Sequence, residues 1–273
     1  MYSNPIEFPG LGIGPFDPNP TAFSVFGISI QWYAIMIAFG LFMAILYCSR
    51  RTHEVGIKQD DVIDALFFAV PMAIVGARLY YVVFNFSHFR YDLIRIFYIR
   101  EGGLAIYGSV IFALLTAYIF ARVKKISALS LLDIGAIGFL IGQSIGRWGN
   151  FMNREVFGTV TDLPWRMEIY VPELGERAAV HPAFLYESLW NAAGFLLLHF
   201  LLPKRRFEGQ LLLIYVAWYG LGRGFIEGLR TDSLYLFNTG LRVSQVLAFS
   251  SFAIAVGLLV YFHVVKRTLK TDN

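Results

Sequence analysis

LLDIGAIGFLIGQSIGRWGNFMNREVFG, from Leu131 to Gly158, holds the two facts that decide the fold. Between Leu131 and Ile145 the only charge is Asp133, and that run is greasy enough to cross a bilayer. The remainder, GRWGNFMNREVFG (Gly146 to Gly158), is densely polar and carries Arg147, Asn150, Asn153, Arg154 and Glu155. A hydrocarbon core takes about 20 apolar residues per helix. Guanidinium, amide and carboxylate groups at the end of such a helix are expensive to keep, and are usually retained because they act on something.

The rest of the 273-residue chain repeats the apolar half of this pattern. Hydrophobic residues make up 57% and charged residues 15%, against roughly a quarter charged in soluble domains. Segments long and apolar enough to span lie at about 28–49, 62–84, 104–121, 131–149, 183–202, 209–228 and 243–265. The predicted fold is therefore an all-α integral membrane protein of about seven transmembrane helices. Residues 1–273 form a single transmembrane domain, with 150–181 as an outer-face insertion between helices four and five. This insertion is interrupted by Pro164 and Pro172 and holds alternating runs such as WRMEIYV (165–171), which read as short strands or an interfacial helix. The N-terminal 27 residues are rich in Pro and Gly, with Glu7 and Asp17 but no Lys or Arg. They lack the basic flank of a signal peptide, so the first helix reads as a retained span.

Loop charges set an orientation. One set of alternate connections holds 12 Lys and Arg residues and the other 10, a difference too small to decide under the positive-inside rule. The residue types decide more, because all six lysines (Lys58, Lys124, Lys125, Lys204, Lys266, Lys270) fall in the first set. That side is expected to be cytoplasmic, with the C-terminus inside and the N-terminus outside. The opposite face uses arginine alone. Arginine's planar fork matches phosphate oxygens and stays charged where hydration is poor, which suggests a phosphate headgroup site; interfacial snorkelling would account for some of these side chains. Arg147 and Arg223 stand apart because both sit in or beside apolar helix ends.

Several classes of function find no support. Cys48, the single cysteine, lies within the first apolar run with no histidine nearby to activate it. The net charge of +4 is ordinary for a bilayer protein, and nothing points to nucleic acid. No metal cluster, glycine-rich nucleotide loop or Ser/His/Asp arrangement is present in the sequence, so no metal or other cofactor is expected. A secondary transporter would carry internal repeats, and none is visible. A non-catalytic scaffold gives no reason to place Arg147, Asn150 and Glu155 so close together.

The polar run resembles the signature of the bacterial prolipoprotein diacylglyceryl transferases, through Gly146, Arg147, Gly149, Asn150, Phe151, Asn153, Glu155 and Gly158. REGGLAIYG (Arg100 to Gly108), HPAFLYE (His181 to Glu187) and YGLGRGFIEGLR (Tyr219 to Arg230) match the same family, so the resemblance covers essentially the whole chain. It implies an enzyme of the bacterial inner (cytoplasmic) membrane acting in lipoprotein maturation. Such an enzyme moves the diacylglyceryl group of phosphatidylglycerol to the lipobox cysteine thiol of a preprolipoprotein signal peptide, forming a thioether and releasing glycerol 1-phosphate. Its partners are membrane lipid and that peptide, which the 150–181 segment is expected to receive.

A thiolate displacement at carbon needs a proton acceptor, fixed donors for the leaving phosphate and both substrates held in line. Arg147 and Arg223 are the expected phosphate contacts; the structural alternative for Arg147 is a partnership with Glu155 or with free helix-end carbonyls. Asn150 either binds the headgroup or caps the helix end, and Asn153 is open in the same way. Gly149 and Gly158 permit a turn or close approach, and the resemblance includes Gly158 and Tyr33 on the lipid-binding side.

Many relatives have His-Gly-Gly where this chain has Tyr107, Gly108 and Ser109. A phenol is a poor proton acceptor at neutral pH, so Tyr107 is expected to hydrogen-bond the phosphate or orient a partner. The remaining candidates for the proton acceptor are Glu155, Glu187, Glu227 and His181. Glu187, inside an apolar run, needs a cationic partner, while Glu227 is expected to pair with Arg230 and brace Arg223. Arg78 and Asp133 are the other intramembrane charges; they could neutralise each other, or Arg78 could reach a headgroup.

Overall fold

The computed structural model describes residues 4–99, 102–231, 234–236 and 239–271, with the side chains of 265–271 outside the description. Arg100 and Glu101 of the REGG motif, and the side chains of Lys266, Arg267 and Lys270, thus lie outside the described residues. The protein is an all-α integral membrane protein whose described residues form seven long helices: α1 (Trp32–Arg51), α2 (Gln59–Phe84), α3 (Ile106–Lys124), α4 (Ala128–Asn153), α5 (Ala183–Leu201), α6 (Gln210–Glu227) and α7 (Val243–Thr271). Among the described residues, six of them are long and apolar enough to cross a membrane, and α6 is the exception. The polar end of α6, which carries Arg223 and Glu227, lowers its hydropathy. The first span starts at Trp32 rather than near 28, because Ile28–Gln31 is a strand. The fourth helix runs on to Asn153, so the polar motif rides on its last turns instead of following it.

The chain divides into two compact units, residues 1–46 with 136–273, and residues 47–135. In the second unit α2 and α3 pack together. They approach so closely that a Cβ on Gly108 would lie 2.2 Å from the Gly76 carbonyl oxygen. Arg78 is buried here, and its five N–H groups are all spent on carbonyls. Nε donates to Ile96 (2.8 Å), Nη1 to Gly102 (2.7 Å) and Gly103 (3.1 Å), and Nη2 to Arg95 (2.6 Å) and Tyr98 (3.4 Å). No N–H is left for Asp133, so the suggested neutral pair does not form. Cys48 is buried with its thiol donating to the Ile134 carbonyl.

The first unit carries a four-stranded antiparallel sheet of order β2–β1–β5–β6, built from β1 (Ile6–Phe8), β2 (Ile13–Phe16), β5 (Met167–Val171) and β6 (Glu176–Val180). The N-terminal segment thus completes the 150–181 insertion. Met167, Ile169 and Val171 alternate inward on β5 and pack with Ile6, Val180 and Phe184. Glu7 and Glu168 face each other across β1 and β5, a repulsive pairing relieved by Arg177, whose Nη2 lies 3.1 Å from Glu7 and Nε 3.4 Å from Glu168. A separate hairpin joins β3 (Thr21–Val25) to β4 (Ile28–Gln31) and leads straight into α1.

Helices α5 and α6 are locked by a reciprocal tryptophan clasp. Trp190 Nε1 donates to the Trp218 carbonyl and Trp218 Nε1 to the Trp190 carbonyl, both at 2.9 Å, with the rings stacked 4.4 Å apart. A Cβ on Gly222 would fall 2.1 Å from Trp190 Nε1, and one on Gly194 2.5 Å from Trp218 Nε1. The two glycines are what let the indoles in.

Candidate active site

Glu187, one turn into α5, is 4% exposed and sits at the centre of the first unit's charged groups. Its Oε2 lies 2.5 Å from Arg147 Nη2, and its Oε1 is shared by Arg223 Nη1 at 3.2 Å and Arg230 Nη1 at 3.4 Å. Three segments converge on it: the end of α4, the end of α6 and the turn beyond α6. Glu227, also buried, meets Arg223 at 2.5 Å and Arg230 at 4.0 Å. Ionised carboxylates cost several kcal/mol each when taken out of water, and these partners offset that. Three guanidinium groups against two carboxylates leave the five side chains with a net charge of +1.

A second tier leads outward from Arg147. Its Nη1 donates to Asn150 Oδ1 at 3.3 Å, and Asn150 Nδ2 donates to Glu155 Oε1 at 2.8 Å, where Asn153 Nδ2 also donates at 3.4 Å. Arg147 and Glu155 are thus coupled through an amide. The backbone that returns Glu155 to this position is strained: Arg154 and Val156 have φ of 54° and 59°, and a β-branched residue there is costly. Arg154 is held by the carbonyls of Asn4 (2.7 Å) and Pro18 (3.0 Å) and by Asp17. Arg154 and Arg177, among the arginines the sequence assigned to the outer face, are therefore bound up in structure, as Arg78 is.

Gly158 fastens the insertion to the end of α6. Its N–H donates to the His181 carbonyl at 2.9 Å, it bridges to Arg230, and a Cβ there would lie 2.8 Å from His181 Cβ. This close approach places Arg230 against Glu187. Gly149 plays the same part for Tyr33, whose ring would meet a Cβ at 2.7 Å. His181 Nδ1 is 3.2 Å from the Tyr186 hydroxyl, and burial pushes its pKa below the ordinary histidine value.

The structure accordingly brings together Arg147, Arg223, Glu187, Glu227, Asn150 and Glu155, with Gly158, His181 and Tyr33 packed along the same elements. Tyr107 opens α3 in the other unit, half-exposed, with its ring near Tyr80. Arg230 was legible only as a partner of Glu227, and its reach to Glu187 depends on the Gly158 contact. Asn191 is a residue that no sequence motif singles out. It is 2% exposed, its Oδ1 has no hydrogen-bond partner among the described residues, and with Glu187 and Arg223 it lines a cavity of about 10 Å³, room for about one water. An asparagine one turn beyond Glu187 on the same helix face was the signal available.

The prolipoprotein diacylglyceryl transferase family model matches residues 20–261. The chain belongs to this family. Phosphatidylglycerol–prolipoprotein diacylglyceryl transferases of Enterococcus faecalis, Finegoldia magna and Clostridioides difficile are 44%, 42% and 40% identical to it. The matches cover 89%, 92% and 90% of this chain and 90%, 98% and 95% of those proteins. Membership extends over nearly the whole chain, so the Glu187 cluster and the Arg78 loop both fall inside the part shared with the family.

Proposed function

We propose that this protein transfers the diacylglyceryl group of phosphatidylglycerol to the lipobox cysteine of a prolipoprotein, at the outer face of the bacterial cytoplasmic membrane. The observation that carries the reading is the meeting of three guanidinium groups on one buried carboxylate. A phosphodiester headgroup brings a single negative charge and two oxygens that suit the guanidinium fork.

The thiol first gives its proton to a carboxylate, for which Glu155 is the candidate, since the thiolate is the nucleophile. Sulfur then attacks the diacylglyceryl carbon that is esterified to phosphate. The carbon–oxygen bond breaks, its electron pair goes to the phosphate oxygen, a thioether forms and glycerol 1-phosphate leaves. The phosphate gains a charge in this step, and Arg147 and Arg223 meet it in place. Glu187 acts as a positioning residue: its two oxygens already accept from arginines, which it holds pointing at one place. Glu227 braces Arg223 and Arg230 in the same way. Asn150, beside Arg147, and Tyr33, packed on Gly149 of the same helix, are assigned to the headgroup. Glu155, exposed and joined to Arg147 through Asn150, is the carboxylate best placed for a peptide thiol to reach. The lysine-bearing loops and the C-terminus face the cytoplasm.

The test uses the protein in vesicles with phosphatidylglycerol labelled in its headgroup glycerol, plus a lipobox peptide. Wild type should release labelled glycerol phosphate in step with peptide lipidation, and Arg147→Ala should not. No release from wild type would overturn the transfer reading, and full turnover in Arg147→Ala would overturn the headgroup role.

A further inference from the structure

From Pro18 to Ser49 the chain carries no charged side chain, and the first span begins only at Trp32. The charge-free stretch before it is the β3–β4 hairpin, which shares no strand with the four-stranded sheet. Its turn is Phe26-Gly27, with φ of 50° and 78°, the geometry of a tight two-residue hairpin turn. Glycine adopts this backbone freely, while a phenylalanine there is held against its preference.

The pairing makes the ribbon two-faced. Phe23 faces Ile30 and Val25 faces Ile28, whereas Ser24 faces Ser29. On the polar side the two serine hydroxyls are 3.2 Å apart, and Gln31 donates to the Thr21 hydroxyl at 3.1 Å. On the other side Phe23, Val25 and Ile28 are exposed, and Phe26 at the tip is 100% exposed. An isolated two-stranded ribbon is marginal in water and needs its apolar face covered. The base of this one cannot stand away from the membrane boundary: Gln31 is followed directly by Trp32, whose N–H donates to the Pro20 carbonyl at 2.9 Å.

We propose that the β3–β4 hairpin is a membrane-interface anchor, with Phe23, Val25, Phe26 and Ile28 lying among the lipid chains of the leaflet where α1 begins. Interfacial elements of this kind sink roughly 5–10 Å into the headgroup and acyl boundary. The occupant is lipid because the face is continuous with a membrane span and carries no charge. Tyr33, two residues after the hairpin, packs on Gly149 of the polar motif, so the anchor also sets the depth of that contact. The inference requires only that α1 spans, and stands apart from the transfer reading.

The experiment uses the full chain with Cys48→Ser and one new cysteine, Phe26→Cys or Ser24→Cys, carrying an environment-sensitive fluorophore. The protein is reconstituted in vesicles of phosphatidylethanolamine and phosphatidylglycerol, with or without lipids bearing a nitroxide high on the acyl chain. The label at 26 should emit to the blue and lose most of its intensity to nitroxide lipid but little to aqueous iodide, while the label at 24 should do the reverse. Water-like emission and iodide quenching at 26 would overturn the anchor. So would shielding that appears only when a lipobox peptide is added, which would make this a peptide surface. An unlabelled Phe26→Trp protein guards against a label that distorts the hairpin: it must show more emission quenchable by brominated lipid than the parent, and no gain counts against the proposal.

Discussion

Two regions keep arginine out of water, and they do so differently. Arg78 gives all five N–H groups to carbonyl oxygens of the 95–103 loop, so its charge is absorbed by backbone and serves to hold that loop. Around Glu187, three arginines share two carboxylates, so their charge is met by side-chain anions. Carboxylate and phosphate are interchangeable partners for a guanidinium, so the second arrangement can trade one anion for another, and the first has nothing to trade. Intramembrane arginine is therefore a poor marker of a site until its partners are known.

The sharpest break in this comparison is Glu187→Gln. Removing one member of a buried ion cluster leaves the rest uncompensated, which typically costs about 3–5 kcal/mol. Melting in detergent should show that loss, and added phosphatidylglycerol should recover part of it by supplying the missing anion; no recovery would argue against anion exchange here. Arg147→Ala comes next: one preorganised donor is worth about 3–4 kcal/mol, or some 10²–10³ in kcat, with the fold retained. Arg78→Lys should behave in the opposite way, losing about 1.5–3 kcal/mol of stability through charged hydrogen bonds a lysine cannot all remake. Its KM for phosphatidylglycerol should be unchanged, and a rise in KM would make Arg78 a headgroup contact after all.

Smaller effects test the edges of the site. Tyr107→Phe should cost tenfold in turnover or less, about 1.4 kcal/mol, because a phenol is not the proton acceptor; total loss would contradict this. His181 is held below its ordinary pKa by burial, so the unfolded chain takes up its proton first on acidification. Its contribution to stability should be level above about pH 6.5 and fall below it, and His181→Asn should flatten that part of the melting-versus-pH curve.

The spans were legible because membrane helices write their length in hydropathy, and the polar cluster at the end of α4 because Arg147, Asn150 and Glu155 stand out at the end of an apolar run. The start of α1 is misplaced by the sequence because ISIQ is uncharged and runs straight into the apolar WYAIMIAF, and an Ile/Ser/Ile/Gln alternation of four residues is too short to tell strand from helix. The union of Ile6–Phe8 with Met167–Val171, far apart in the chain, leaves no local trace. The need of Glu187 for a cation could be read from burial alone, but its three partners come from separate segments and only packing selects them. Asp133 or a headgroup is the partner a sequence suggests for Arg78, because anions are the partners one looks for, whereas backbone carbonyls are everywhere and invisible to it.

The paired indoles of Trp190 and Trp218 bear on what the charged groups are free to do. Helices joined mainly by ion pairs would drift apart each time an arginine let go of its acid. Here sliding and rolling of α5 on α6 are already blocked by two mirrored hydrogen bonds and a stacked ring contact, three residues along the chain from Glu187. The grip between these helices is thus assigned to side chains other than the charged ones, and an exchange of partners among the charged ones would leave the frame that carries them in place.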